Sequence, residues 1–321
     1  MRAPTSASRQ HGTAIITALL VVLLAASIAT FLLVQQSHAL TRTARATERA
    51  QAMLFAQPML QWARSALFEF QKNNNSVDLT QRWAQPIGVQ PIEGALATGF
   101  FRDETSRFNV NNLINDDGKK SEADVDVFKH LLENLGLNAD LAYALVDWID
   151  TDDETLPGGA EDLAYLALPQ PYRTANQRLV QIEELYSVRG FDAAALAKLK
   201  PFITALPGRS KININTAPSE VLAAVLPKLD QSALRELLNR RMTRPFKALE
   251  GENGIKTYLK EVPAATVEQL LHFSSDYFSV ALGVSTGGTQ VRQTALFQRV
   301  VSTPANTNPP AWPRIIWVKD D

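Results

Sequence analysis

The chain has 321 residues, 45% of them hydrophobic and 20% charged, which is enough apolar sequence for at least one substantial core and excludes a disordered or fibrous chain. Lys plus Arg (32) and Asp plus Glu (33) leave a formal net charge of -1, so the overall balance carries no polyanion-binding surface and any such surface must come from local charge. The absence of Cys removes disulfides, thiolate nucleophiles and Cys-ligated zinc together.

From Thr13 to Val34 the chain runs 22 residues without a charge. At ~1.5 Å rise per residue that is about 33 Å of helix, enough to cross a bilayer core. Arg2, Arg9 and His11 form a weak basic leader before it, as in a secretory signal peptide, but a signal core is only roughly 7–15 residues long and ends at a small-residue cleavage site. Here the helical pattern continues through Gln35–Leu40 into Ala-rich sequence, and the run reads as a retained membrane span. Arg42, Arg45 and Arg49 follow the span as Arg2 and Arg9 precede it, so charge alone leaves the orientation open.

Beyond the span, Phe55, Met59, Trp62, Ala66 and Phe70 fall within about 80° of one another at 100° per residue and predict an amphipathic stripe docked on a folded domain. Pro58 inside this stretch is expected to kink or interrupt the helix. Asn73-Asn74-Asn75-Ser76 ends it. Short strands are expected up to about Arg102, including Gly99-Phe100-Phe101, and Tyr277–Val284 with Val291–Val301 reads as a hairpin around Gly287-Gly288. Arg314–Lys319 supplies one more strand. Residues 107–272 between these ends are helical in period, over Val125–Leu135, Asp140–Ile149, Ile182–Leu185, Ala193–Leu199, Ser219–Leu226 and Ser232–Arg241. Thr216 is the expected N-cap before Pro218-Ser219-Glu220. The expected fold class is α+β: a long amino-terminal helix and an antiparallel sheet, with an all-α domain inserted between the strands.

Asp147, Asp150, Asp152, Asp153, Glu154, Glu161 and Asp162 put seven acids and no base in a sixteen-residue window. Carboxylates this dense repel unless they are protonated, solvated or bridged by a cation, and calcium suits such oxygen donors. Asp150, Asp152, Glu154 and Glu161 take offsets 1, 3, 5 and 12 of an EF-hand-like loop, but Thr155 stands where that loop needs Gly and Pro157 where it forms its short strand. A looser cage closed by Gly158-Gly159 is expected, with Asp150, Asp152, Glu161 and Asp162 as the first-choice ligands and Asp147, Asp153 and Glu154 as the second; a solvated acidic loop is the alternative.

Enzymatic chemistry finds little support. The four His are at 11, 38, 130 and 272, without a nucleophile signature beside them, and no GxSxG, HExxH, Walker or GxGxxG string is present. Ile212-Asn213-Ile214-Asn215-Thr216-Ala217-Pro218 looks like the opening of a helix-hairpin-helix DNA-binding module, with Arg235, Arg240, Arg241 and Arg244 as phosphate contacts. Its turn, Leu226-Pro227-Lys228-Leu229-Asp230, lacks the Gly such modules use against phosphate, and a solvated helix face explains the same arginines.

Arg9-Gln10-His11-Gly12-Thr13 ahead of the apolar run resembles a type IV pilin leader, in which a prepilin peptidase cuts after the Gly and leaves the apolar helix attached. Gly12 and Thr13 are then the processing residues, residues 1–12 the leader and Thr13 the mature, methylated terminus. Most pilins carry Glu at the fifth mature position; Thr17 stands there. The strings Arg107-Phe108-Asn109-Val110-Asn111, Asp147-Trp148-Ile149-Asp150, Gly159-Ala160-Glu161-Asp162-Leu163-Ala164-Tyr165, Pro171-Tyr172-Arg173, Asn176 and Ile212-Asn213-Ile214-Asn215-Thr216-Ala217 resemble the type II secretion minor pseudopilin K family in order and spacing. The resemblance implies a pilin-like helix over residues 13–72, a β-sheet domain from 73–106 and 273–321, an inserted helical domain over 107–272, and bound calcium. It also implies an inner-membrane protein with cytoplasmic amino terminus and periplasmic domain, placed at the pseudopilus tip with minor pseudopilins I and J, in reach of the major pseudopilin. The family's frequent disulfide is absent. A membrane-anchored DNA-binding component of an uptake apparatus is the competing reading.

Overall fold

The computed structural model describes residues 10–73, 76–92, 94–259, 262–286, 289–300 and 311–320. Residues 1–9 of the leader, Asn74 and Asn75 of the helix-ending string, and the Gly287-Gly288 turn with Val301 lie outside these.

Helix α1 (Gln10–Asn73) is 64 residues long. Every residue from Thr13 to Thr47 is exposed, the uncharged run Thr13–Val34 included. Its hydroxyls turn back onto the helix: Thr17 Oγ1 donates to Thr13 O and Ala14 O (both 3.0 Å) and Ser27 Oγ to Leu23 O (2.8 Å). A polar group in lipid needs such an internal partner. Pro58 neither ends nor breaks the helix. It lies on the exposed side, while Ala56, Met59 and Leu60 around it are buried and pin the helix on either side of the missing N–H. The buried stripe is Ala52, Ala56, Met59, Leu60, Ala63 and Leu67, turned from the one expected, and Trp62 is left exposed. The close approach needs small residues facing the sheet, so alanines replace the aromatics at its centre.

Strands β1 (Ile87–Ile92) and β2 (Ala95–Asp103) form a hairpin, after which the chain leaves the sheet. The excursion holds β3 (Phe108–Asn109), α2 (Glu122–Asn134), α3 (Leu141–Ile149), α4 (Asp162–Leu166), α5 (Ala193–Leu199), β4 (Ile203–Thr204), β5 (Ile212–Asn213), α6 (Ser219–Val225), α7 (Gln231–Thr243), α8 (Ala264–Leu270) and β6 (Leu271–His272). Strands β7 (Tyr277–Thr286), β8 (Thr289–Val300) and β9 (Ala311–Asp320) then complete an antiparallel sheet of order β1-β2-β7-β8-β9. Asp103 at the end of β2 pairs with Phe278 at the start of β7, so the insertion leaves and re-enters at one place. One sheet face packs on α1 through Ala97, Phe278, Val280, Leu282, Ala295 and Phe297. On the other face Leu206 of the insertion meets Tyr277 and Leu296.

The inserted domain is not purely helical. It contains two short parallel pairs, β3 with β4 and β5 with β6, and Ile182–Ser187 is a 3-10 turn. Asparagines supply what periodicity does not show. Asn111 donates to Leu179 O and Leu206 O (both 2.8 Å) and accepts from Leu179 N (2.8 Å), and Asn215 closes the same kind of pair with Phe246 N and O (2.9 and 2.8 Å). A side-chain amide copies a peptide group and stitches loops as a strand would. Thr216 is not an N-cap: its hydroxyl donates 2.5 Å to Asp103 Oδ2.

Asp103 is the meeting point of both parts. Its Oδ1 accepts from Thr105 N (2.9 Å) and Thr105 Oγ1 (2.7 Å), and its Oδ2 from Asn213 Nδ2 (3.1 Å) and Ser275 Oγ (2.6 Å) as well as Thr216. Next to it, buried Glu104 accepts from Thr204 Oγ1 (2.9 Å) and Ser279 Oγ (2.6 Å). Asp103→Ala would leave buried donors from three segments without an acceptor. It is expected to lower the unfolding free energy by on the order of 3 kcal/mol, against less than about 0.5 kcal/mol for exposed Leu96→Ala, as read by denaturant unfolding in mild detergent.

Candidate metal centre

Asp147 and Asp150 lie three residues apart at the carboxyl end of α3, the spacing that puts two side chains on one helix face. Glu161 immediately precedes α4. The chain between them turns at Gly158, whose φ of +86° belongs to the left-handed region, and Gly159 N donates to Leu156 O (2.9 Å). A Cβ on Gly159 would sit 2.1 Å from Asp147 Oδ2, so this glycine makes room for the carboxylate. Trp148 and Tyr165 hold α4 against α3 edge to face, with ring centroids 5.1 Å apart, and Tyr165 OH accepts from Arg189 N (3.0 Å).

These contacts bring Asp147, Asp150 and Glu161 together, with one carboxylate oxygen of each within 4.8 Å of the others. All three residues are buried. Asp147 accepts from Leu156 N, but Asp150 Oδ1 and both oxygens of Glu161 are buried without a hydrogen-bond partner. Burial, reinforced by Asp152 and Asp147, pushes Asp150 up to about 7. Glu161 is likewise pushed up to about 7 by burial and then by its acidic neighbours, and Asp147 by burial to about 6. Buried oxygens without donors, facing one another, make a poor protein interior and a good seat for a hard cation. The residues present therefore fit a calcium ion.

The other four acids of the window stand apart from this trio. Asp152 is exposed and accepts from Glu154 N (2.8 Å), and Asp153 and Glu154 are exposed on the same loop. Asp162 turns away, accepting from Thr174 N and Oγ1 (both 2.9 Å) and pairing with Arg173 (3.0 Å), contacts that pull its carboxyl below the usual range. Asp147, a second-choice ligand by sequence, thus joins the trio, while Asp152 and Asp162, first choices, do not.

The arginines proposed for phosphate contact are engaged within the chain. Arg241 is buried and donates to Ile214 O (2.8 Å) and Ala217 O (2.7 Å); burial brings it down to about 10. Arg240 covers the Phe246 ring, Arg244 holds Asn253 and Glu252, and Arg235 caps back to Gln231 O. Asp230, in the hairpin turn, caps α7 through Ser232 N and Ala233 N.

Because the three carboxyls titrate higher in the folded chain than in the unfolded one, their contribution to stability is present at low pH and lost as pH rises through the folded values. From ordinary values of 3.8 and 4.5 to folded values of about 6 to 7, the ion-free protein is expected to lose stability between about pH 4 and pH 7. Saturating calcium should remove that loss at neutral pH and do little near pH 4.5, where binding must displace protons. Thermal unfolding over pH with calcium or EGTA reads both limbs.

Family models described as type II secretion system protein K match residues 106–208 and 212–251. Type II secretion system protein K of Pectobacterium carotovorum subsp. carotovorum is 33% identical over 306 residues, covering 90% of this chain and 92% of its own. The protein of the same name from Aeromonas hydrophila is 32% identical over 313 residues, 92% of this chain and 94% of its own. One chain of the crystal structure of the GspK-GspI-GspJ complex from the enterotoxigenic Escherichia coli type 2 secretion system superposes with a TM-score of 0.71 at 26% identity, covering 87% of this chain and 99% of that one.

Proposed function

Since the chain belongs to the type II secretion system protein K family, we propose that it works as a minor pseudopilin, non-enzymatic, which caps the tip of a periplasmic pseudopilus together with minor pseudopilins I and J and supports its initiation. The observation that carries the placement is the joining of a bare apolar α1 to a large insertion on the sheet. A filament built by packing such helices side by side has room for a bulky insert only where no subunit follows. Thr17 fits that position. Its hydroxyl is spent on the helix backbone, so it offers no carboxylate to the amine of a neighbour above it. On this reading Thr13–Val34 crosses the inner membrane with the amino terminus in the cytoplasm, the major pseudopilin lies below the tip, and a prepilin peptidase releases Thr13.

Calcium is the cofactor of this reading, held by Asp147, Asp150 and Glu161. It would tie the end of α3 to the start of α4 and fix one face of the inserted domain for its tip partners. A ligand that binds only the folded state stabilises by about 2.7 kcal/mol at one hundred times its Kd. Asp150→Ala and Glu161→Ala are expected to abolish the calcium-dependent rise in Tm and to weaken co-purification with I and J, while His130→Ala does neither. A Tm indifferent to calcium and EGTA in the unaltered protein would overturn the calcium reading and leave the trio a buried carboxyl cluster that holds no ion.

Processing is tested independently by mass spectrometry of the membrane-extracted protein. The expected mature mass begins at Thr13, and Gly12→Val should accumulate uncut. Normal processing of that variant would count against a pilin-type leader.

A further inference from the structure

Between the span and the folded domain, α1 carries a basic stripe that the tip reading does not use. His38, Arg42, Arg45 and Arg49 fall within about 60° of one another at 100° per residue. All four are exposed, and none makes a hydrogen bond or ion pair with the described residues. The first acid anywhere in the chain is Glu48, and its carboxylate accepts from Thr289 Oγ1 (2.6 Å). Among the described residues, Ala52 is the first of α1 to be fully buried, and no described part of the folded domain covers the stripe. Three unneutralised guanidiniums on one face repel one another unless an anion is near.

Their heights identify the anion. Counting ~1.5 Å per residue from Val34, His38 stands about 6 Å, Arg42 about 12 Å, Arg45 about 16 Å and Arg49 about 22 Å above the end of the apolar run. The headgroup layer outside a bilayer core is about 5–8 Å deep, and helix side chains lean toward the amino terminus, here toward the membrane. His38 and Arg42 therefore reach headgroup phosphates, Arg45 lies within about one Debye length of them, and Arg49 lies at the limit of the surface field. We propose that the His38–Arg42–Arg45–Arg49 stripe is a binding face for anionic phospholipid headgroups of the membrane that α1 spans, holding the subunit in that leaflet by phosphate contacts graded with height. The planar guanidinium suits phosphate in two-point contact. The inference rests on Thr13–Val34 being a span and not on which side of the membrane the domain occupies.

The test uses the full chain reconstituted in phosphatidylcholine vesicles holding spin-labelled phosphatidylglycerol or spin-labelled phosphatidylcholine. Flotation with neutral vesicles checks the span by itself. The fraction of each probe immobilised at the protein gives the selectivity for the anionic lipid. Unaltered protein is expected to prefer phosphatidylglycerol, with the preference lost at high salt. Arg42→Gln should lower it about fivefold, Arg45→Gln less and Arg49→Gln least, in the order of their heights. No preference in protein that floats normally, or equal losses from all three variants, would overturn the proposal. So would variants that keep the lipid preference but no longer co-purify with other pilin-like subunits, which would make the stripe a protein-docking face. These residues are exposed and bare, so the variants leave the fold intact.

Discussion

The buried carboxylate of Asp103 decides how the two halves of this molecule meet. A charged group away from water is tolerable only when donors surround it. Here they come from the turn after β2 (Thr105), from the loop around β5 (Asn213, Thr216) and from the approach to β7 (Ser275). Burial raises its pKa while these hydrogen bonds pull it back, and Arg299, buried over Phe70 and Phe278, gives Ser275 O a further donor (2.9 Å). Because these donors come from three segments, the carboxylate can be satisfied only when the sheet and the insertion are in register. Asn213 extends the same lock to Val77 O (3.0 Å), just past the helix.

How much of this was legible depends on where the information lies. The hairpin of β7 and β8, strand β9, and helices α2, α3, α5, α6 and α7 follow from local periodicity, and the structure has them within a few residues of the expected positions. The apolar run of α1 was equally plain. Its docking stripe was not, since large aromatics such as Trp62 dominate any reading by hydrophobicity, whereas close packing selects Ala52, Ala56 and Ala63. Asn109, Asn111, Asn213 and Asn215 stood out only as parts of strings resembling a family. Their work is to replace peptide groups across loops far apart in sequence, and a contact of that range leaves no periodic trace.

The acidic window shows the same division. Composition revealed seven carboxylates in one place, but which of them meet depends on the phase of α3 and on the packing of Tyr165 against Trp148. The i, i+3 relation of Asp147 and Asp150 was present in the sequence and could have ranked Asp147 higher. The turning away of Asp162 could not be read, because Thr174 and Arg173 approach it from a loop with no regular period.

The insertion has a consequence for the order in which the chain can fold. Strand β2 has no partner on its inner side until β7 arrives, and α1 has no sheet to lie on until β7 and β8 exist. If the intervening sequence were still a coil, bringing β2 to β7 would require closing one very long loop, with the entropy that entails. Once the insertion has its own core, its start is tied to its middle through Phe108 N and Phe202 O (2.9 Å) and its middle to its end through Ile214 N and His272 O (3.1 Å), which leaves Asp103 and Ser275 at its flanks within one hydrogen bond (2.6 Å). Loop-closure entropy therefore favours an order in which the interior of the chain folds first and the outer frame closes around it from both termini inward. A subunit stalled before its last strands emerge would hold a finished middle and an undocked long helix.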